Sequence, residues 1–217
     1  MSYRITGTGS CIPDIAKKNS DFLKNKFLDT DGGKFKSSNS EIIDKFNSIT
    51  GIYERRYASD EINCSDLAAV AADLAINDSK LDQETLDYII VAHNTGDISC
   101  SSGQVDTLPS VASKVKAKLK IKNPNCVAYD IICGCPGWVE GIIQAKSFIK
   151  SGMAEKCLVI GCDTLSRILD ENDRDSMIYA DGSGAIVLES DSSYDGGILS
   201  HKSATFTYEG ENDFIFY

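Results

Sequence analysis

Cys133-Gly134-Cys135-Pro136-Gly137 places two thiols where an apolar run gives way to a helical pattern. Proline suits the first position of a helix, which makes Cys135 the expected N-cap. A sulfur there would face unpaired backbone N–H groups and the positive end of the helix dipole. Both favour thiolate over thiol, and so nucleophilic chemistry. Cys133 competes for the same role, but it precedes the helix start and the dipole favours it less. Plain packing stands beside both readings, because free cysteine behaves as a small hydrophobe. A metal site would need two further ligands, and no spaced Cys/His pair supplies them. A redox motif wants two residues between its cysteines, not one. The base for a nucleophilic cysteine would be His93 or His201, the only histidines. His93 ends an apolar run and faces a loop mouth; a polar residue that merely closes a strand end is the plainer reading. Gly7-Thr8-Gly9 leads towards a proline and Gly182-Ser183-Gly184 into a strand, so neither is a dinucleotide fingerprint.

The elements around this turn follow from periodicity. Short continuous apolar runs at 127–132, 88–92 and 157–161 read as buried strands, and 3–8 as an opening strand. Val139, Ile142, Ile143, Ala145, Phe148 and Ile149 recur at helical spacing, with Gly152 where a C-terminal cap belongs. Further helices are expected at 41–46, at 109–119, and from an N-cap at Ser65 to residue 77. The apolar stripe of that last helix would be Leu67, Val70, Ala71 and Leu74. Residues 29–33 read as a surface turn, since Gly33 and Lys34 stand where a calcium loop needs a ligand and its glycine. Residues 97–106 and 170–175 read as loops. Asp181-Gly182-Ser183-Gly184 reads as a tight turn between two apolar runs, and 196–200 as the start of one more strand. Strands that alternate with helices and are apolar throughout imply a mostly parallel sheet covered on both faces, with one antiparallel strand.

The chain has 217 residues, 42% hydrophobic and 25% charged, as expected for a globular protein of one domain or two small ones. The net charge of −10 argues against non-specific nucleic-acid binding. Lys114, Lys116, Lys118, Lys120 and Lys122 read as a solvated helix face. No apolar run approaches the roughly 20 residues of a membrane helix, and the start lacks a signal peptide's apolar core. A cytoplasmic location is expected, and the eight cysteines, several within apolar runs, agree with it.

Six segments recur in one order: Ile5-Thr6-Gly7-Thr8-Gly9 through Pro13, Thr50-Gly51-Ile52 with Glu54-Arg55-Arg56, Tyr129-Asp130-Ile131 through Cys135-x-Gly137, Gly161-x-Asp163, Asp173-Arg174, and Asp181-Gly182-Ser183-Gly184-Ala185. By these the chain resembles β-ketoacyl-[acyl carrier protein] synthase III, a condensing enzyme of the thiolase superfamily. The resemblance implies an α/β, thiolase-like fold: a five-stranded mixed, mostly parallel sheet between helices, as the first half of a duplicated fold. Residues 1–190 would be that half and 191–217 the start of the next, with Phe214-Ile215-Phe216-Tyr217 ending as if within a fold.

The resemblance also implies the chemistry. Cys135 would take an acyl group from acyl-CoA, with its own backbone N–H as half of the oxyanion hole. Malonyl-[acyl carrier protein] would then be decarboxylated and condensed with the acyl-enzyme, in fatty acid biosynthesis. Substrate contacts fall to Leu108, Arg174 and Tyr179. Leu108 stands where the family often has a phenylalanine that closes the neighbouring subunit's acyl pocket, so a longer or branched acyl group is suggested. A homodimer through about 126–132 is implied. No cofactor or metal is expected, acyl-CoA being a substrate. The family's histidine and asparagine belong to the other half, and neither His93 nor His201 stands in their motif. Lys45 and Ile49 fall where a tryptophan and an arginine sandwich the CoA adenine. Cys-Gly-Cys-Pro-Gly-Trp replaces the usual Ala-Ala-Cys-Ala-Gly-Phe. A secondary-metabolite (polyketide or resorcinol-type) condensing enzyme of the same fold, or a non-catalytic acyl-carrier-binding or dimer-partner module, are the alternatives.

Overall fold

The computed structural model describes residues 2–29 and 31–207. The chain opens with β1 (Tyr3–Cys11) and β2 (Ile15–Lys18), then α1 (Asn39–Thr50) and β3 (Glu54–Tyr57), which pairs antiparallel with β2. There follow α2 (Cys64–Ser79), β4 (Tyr88–His93), a hairpin of β5 (Asp97–Ile98) and β6 (Val105–Asp106), and α3 (Val111–Lys118). β7 (Val127–Ile132), α4 (Gly137–Ser151), β8 (Lys156–Thr164) and β9 (Asp181–Ser190) complete it.

Five strands form one sheet in the order β1-β9-β8-β4-β7. β4 runs parallel to β7 and β8, and β9 runs antiparallel to β8 and β1, so β9 alone opposes the rest. Successive residues of β4 feed opposite cores. Ile89 and Val91 pack with α2 and α3, while Ile90 packs with Ile142, Ala145 and Ile149 of α4. Both faces of the central β4 and β8 are covered, which is why those strands are apolar along most of their length rather than alternating. A third, smaller core joins α1 to Phe22, Phe27 and Met177. Arg55 is buried beside it, donating to Met177 O, Lys17 O and Asn19 Oδ1, with its guanidinium over the Phe22 and Phe46 rings.

Several expectations are corrected. The second helix begins at Cys64 and its N-cap is Asn63, which shares a capping box with Asp66. Ser65 lies inside the first turn and donates from its N–H and hydroxyl to Asp97. The buried face of α2 is built of Leu67, Ala68, Ala71, Ala72, Ala75 and Ile76, while Val70 and Leu74 are 50% and 47% exposed. The cause is the closeness of α2 to β1. A Cβ on Gly7 would lie 2.1 Å from Ala75 O, and one on Gly9 2.1 Å from Ala71 O. The glycines of β1 make room for the α2 backbone itself at Ala71 and Ala75. Asp181 to Gly184 is no turn: it is the first part of β9, paired with β8 and β1 on its two sides. Residues 97–106 carry a two-stranded hairpin, and 196–200 form no strand. The aromatic run at 214–217 lies outside the described residues.

Gly9→Ala tests the α2–β1 contact. The added methyl meets backbone on α2, so unfolding stability should fall by about 2 kcal/mol or more. Urea denaturation should show a lower midpoint with an unchanged slope.

Candidate active site

β7 ends at Ile132, and residues 133–136 turn the chain into α4. Gly137 N–H donates to Gly134 O at 2.8 Å to close this turn. Pro136, in helical conformation, is the N-cap of α4, so Cys135 sits one residue before the cap rather than on it. The first-turn N–H groups of α4 still lack acceptors within the helix, and the cysteine precedes them directly. Gly152 caps the far end with φ 77°. Glycines let α4 approach the sheet: a Cβ on Gly141 would lie 2.9 Å from Val159 Cγ1, and one on Gly137 3.2 Å from Ala92 Cβ. On β8, Gly161 leaves room for the Trp138 ring. This packing sets the cysteine turn at the C-terminal ends of β4, β7 and β8, where open parallel sheets place ligands.

An open cleft of about 300 Å³ lies there, lined among others by His93, Cys133, Cys135, Trp138, Asp163 and Ser183. Cys135 is exposed and Cys133 half-buried. His93 does not face a loop mouth. It is 2% exposed, and its Nε2 lies 2.9 Å from Asp130 Oδ2. Its Nδ1 is buried without a hydrogen-bond partner among the described residues. Asp130 also accepts from Val111 N–H at 2.7 Å and Ala112 N–H at 2.8 Å, so it caps α3. Burial would push the Asp130 carboxyl up, but the hydrogen bonds from His93, Ala112 and Val111 outweigh it and hold the group below the usual carboxylate range. Asp163 shows the opposite balance. Burial pushes its carboxyl up despite hydrogen bonds from Asn94 N–H at 2.9 Å and Asn94 Nδ2 at 2.8 Å. Asp181 accepts from Ser166 N–H and Oγ and from Ala58 N–H, anchoring the loop after β8 to β9.

The other expected site residues are not in this cleft. Leu108 is 84% exposed. Arg174 pairs with Asp175 at 3.6 Å and lies over the Phe35 ring at 4.9 Å. Tyr179 is 36% exposed and adjoins Ala180, which does line the cleft. His201 lies near Lys146 Nζ, at 3.4 Å, on α4. Ile49 is 73% exposed on α1, the helix that also carries Lys45. The sequence reading missed the inward Asp130–His93 pair and the Asn94–Asp163 pair. Both aspartates stood in quoted segments, but their partners lie 37 and 69 residues away in the chain. Among the described residues no cluster of three or more His, Cys, Asp or Glu could hold a metal ion. No helix of the described residues is long and apolar enough to cross a membrane.

The solved 3-oxoacyl-[acyl-carrier-protein] synthase III of Aquifex aeolicus matches with a TM-score of 0.70 and 33% identity, over 88% of this chain and 55% of that one. The enzyme of the same name from Pseudomonas aeruginosa matches with a TM-score of 0.71 and 27% identity, over 92% and 54%. The architecture is thiolase-like. Residues 129–206 match the family 3-oxoacyl-[acyl-carrier-protein (ACP)] synthase III. A β-ketoacyl-[acyl-carrier-protein] synthase III of Ehrlichia ruminantium is 36% identical over 200 residues, 92% of this chain and 56% of that protein. The chain is a relative of the β-ketoacyl-[acyl-carrier-protein] synthase III family, and it spans about half the length of the relatives it matches.

Asp130 carries a pH signature. Its folded-state pKa is depressed, so its stabilising contribution is full above the ordinary carboxylate value near ~4 and is lost as pH falls through the folded value. Asp130→Asn should cost on the order of 2 kcal/mol at neutral pH. The gap from wild type should narrow below the ordinary carboxylate range, read by urea unfolding at a series of pH values.

Proposed function

We propose that this chain is the nucleophile-bearing half of a β-ketoacyl-[acyl-carrier-protein] synthase III of fatty acid biosynthesis, working in the cytoplasm. The observation that carries the reading is the exposed Cys135, set before the N-terminus of α4 in an open cleft. The Cys135 sulfur attacks the thioester carbonyl of an acyl-CoA. A new carbon–sulfur bond forms, the old one breaks, and CoA leaves as a thiol with the cysteine's proton. The Cys135 backbone N–H supplies one donor to the oxyanion. Decarboxylation of malonyl-[acyl carrier protein] and attack of its carbanion need donors at the thioester enolate, which the family draws from a histidine and an asparagine of its other half.

Leu108, exposed and apolar, is proposed to meet the acyl pocket of a second copy, and Arg174 and Tyr179 to contact substrate outside the cleft. The edge position of β7 supports a homodimer, since its outer backbone groups are unpaired in the sheet and Val127 and Ile132 are 47% and 70% exposed. Sedimentation at micromolar concentration should show dimer; monomer alone would count against that pairing.

The activity divides in a testable way. Incubation of the 217-residue chain with an acyl-CoA should add one acyl group by intact mass, and Cys135→Ser should abolish the adduct. Each missing enolate donor costs on the order of a hundred- to a thousandfold in rate. With malonyl-[acyl carrier protein] present, this chain alone should therefore give no 3-oxoacyl product and no carbon dioxide above the blank. Turnover would show that His93, His201 or another group here fills those roles.

A further inference from the structure

Cys64, the first residue of α2, and Cys162, on β8, bring their sulfurs to 2.9 Å although 98 residues separate them in the chain. Both are free and buried, at 0% and 4% exposure. The elements that carry them are pinned without help from the sulfurs. Arg167, in the turn that leaves β8, donates Nη1 to Asn63 Oδ1 at 2.9 Å and to Ile98 O at 2.7 Å. Its Nη2 donates to Ser59 O and to Ile62 O. On the other side of Cys64, Ser65 N–H and Oγ donate to Asp97, which also accepts from Lys114 Nζ at 3.1 Å. The start of α2 is thereby tied to the end of β8 and to α3, and the two thiols are held face to face. A disulfide needs about 2.05 Å between sulfurs, so the pair must close by roughly 0.9 Å, a movement that side-chain torsions can supply.

Cys162 also lines the cleft that holds Cys135, between Gly161 beneath Trp138 and Asp163 beneath Asn94. Cys162 is 4% exposed and its thiol packs against Cys64 in the core under α2, so a small solute in the cleft stands beside one member of the pair and not the other. Cys64 has no place in that lining. The attacking thiol and the resolving thiol are therefore distinguished by position.

We propose that Cys64 and Cys162 are a modification site, at which a hydrogen-peroxide-class oxidant entering the cleft converts the two thiols to an intramolecular disulfide. The Cys162 sulfur attacks one peroxide oxygen. A sulfur–oxygen bond forms, the oxygen–oxygen bond breaks, and the departing hydroxide takes the thiol proton as water. The Cys64 sulfur then attacks the sulfenic sulfur. The sulfur–sulfur bond forms, the sulfur–oxygen bond breaks, and the hydroxyl leaves with the Cys64 proton as a second water. Two thiols lose two electrons, and one peroxide is reduced to two waters. The hydrogen-bonded neighbour Cys64, together with burial, pushes the Cys162 thiol up, so little thiolate is present and the first step is slow. The exposed Cys135 competes for the same oxidant, and the proposal does not depend on its role as nucleophile.

The experiment removes that competition with Cys133→Ser and Cys135→Ser in one chain. This chain is treated with hydrogen peroxide, unfolded in N-ethylmaleimide, and digested with trypsin without reductant. The expected product joins peptide 57–80 to peptide 157–167, and fragmentation assigns the bond to Cys162 rather than Cys157. Dithiothreitol should release it. It should be absent when Cys64→Ala or Cys162→Ala is added, each variant first shown to be folded by its thermal unfolding transition. Peroxide should also raise the unfolding midpoint of the serine double variant, and not that of either alanine chain. Recovery of both Cys64 and Cys162 as maleimide adducts would overturn the proposal. So would Cys162 as sulfinic acid with Cys64 free, or a cross-link that uses other cysteines.

Discussion

Asp130 is the point where three elements meet. It lies on β7, five residues before Cys135, and its carboxylate accepts from His93 at the end of β4 and from the first two N–H groups of α3. A half-buried charge of this kind is tolerable only when fully hydrogen-bonded, and a helix N-terminus is the backbone feature best suited to one. The bond to His93 fixes the ends of two parallel strands relative to each other, just where the chain must leave β7. Cys133 N–H then donates to His93 O at 3.4 Å, which carries the same constraint into the cysteine turn. The position of the thiol is thus set by strand ends and a helix cap as well as by the turn itself.

The second constraint is the distance between helices and sheet. α2 lies on Gly7 and Gly9, and α4 comes close through Gly137 and Gly141. Small residues at these contacts shift hydrophobic bulk to other positions. On α2 the alanines fill the middle of the buried face between Leu67 and Ile76, while Val70 and Leu74 are exposed. A stripe ranked by hydrophobicity is rotated from the true face of such a helix: Leu67 and Ala71 are on it, Val70 and Leu74 are not, and the alanines between complete it. The apolar runs at β4 and β8 were legible because strands covered on both faces carry one signal at every position, whereas β7, read as buried, is the edge strand and has no buried residue. β7 still spans the residues its apolar run indicates.

What escaped the sequence depended on partners remote in the chain. Asp181-Gly182-Ser183-Gly184 has the composition of a turn, and local propensity cannot say otherwise. Two neighbouring strands, at Cys11↔Ser183 and Cys162↔Ser183, hold it extended. The benefit to the site is room, since Gly182, Ser183 and Gly184 line the cleft where larger side chains would fill it. The cysteine turn was legible to within one residue, because a proline followed by a helical pattern is a local signal. The slip arose because Pro136 occupies the cap itself. His93 was misjudged for a different reason: whether a strand-end histidine points out or in is decided by its neighbours on the same face, and Asp130, two residues before His93's register partner Ile132, receives its Nε2.

The cleft's shape bears on which half of the proposed reaction this chain can support. Thioester exchange at a cysteine requires a nucleophile, an approach path and donors for a transient oxyanion, and it proceeds between groups that water does not destroy. A malonyl-derived carbanion is protonated by any water that reaches it, so its chemistry calls for enclosure and for donors fixed at the enolate before the charge appears. An open cleft of about 300 Å³, at the lower bound of small-molecule sites, exposes Cys135 without enclosing anything attached to it. The described residues therefore agree with the proposed acyl capture, and the constraints at Asp130 and the helix glycines set where the thiol stands. The carbanion step needs walls, and among the described residues this face of the sheet forms only the open cleft.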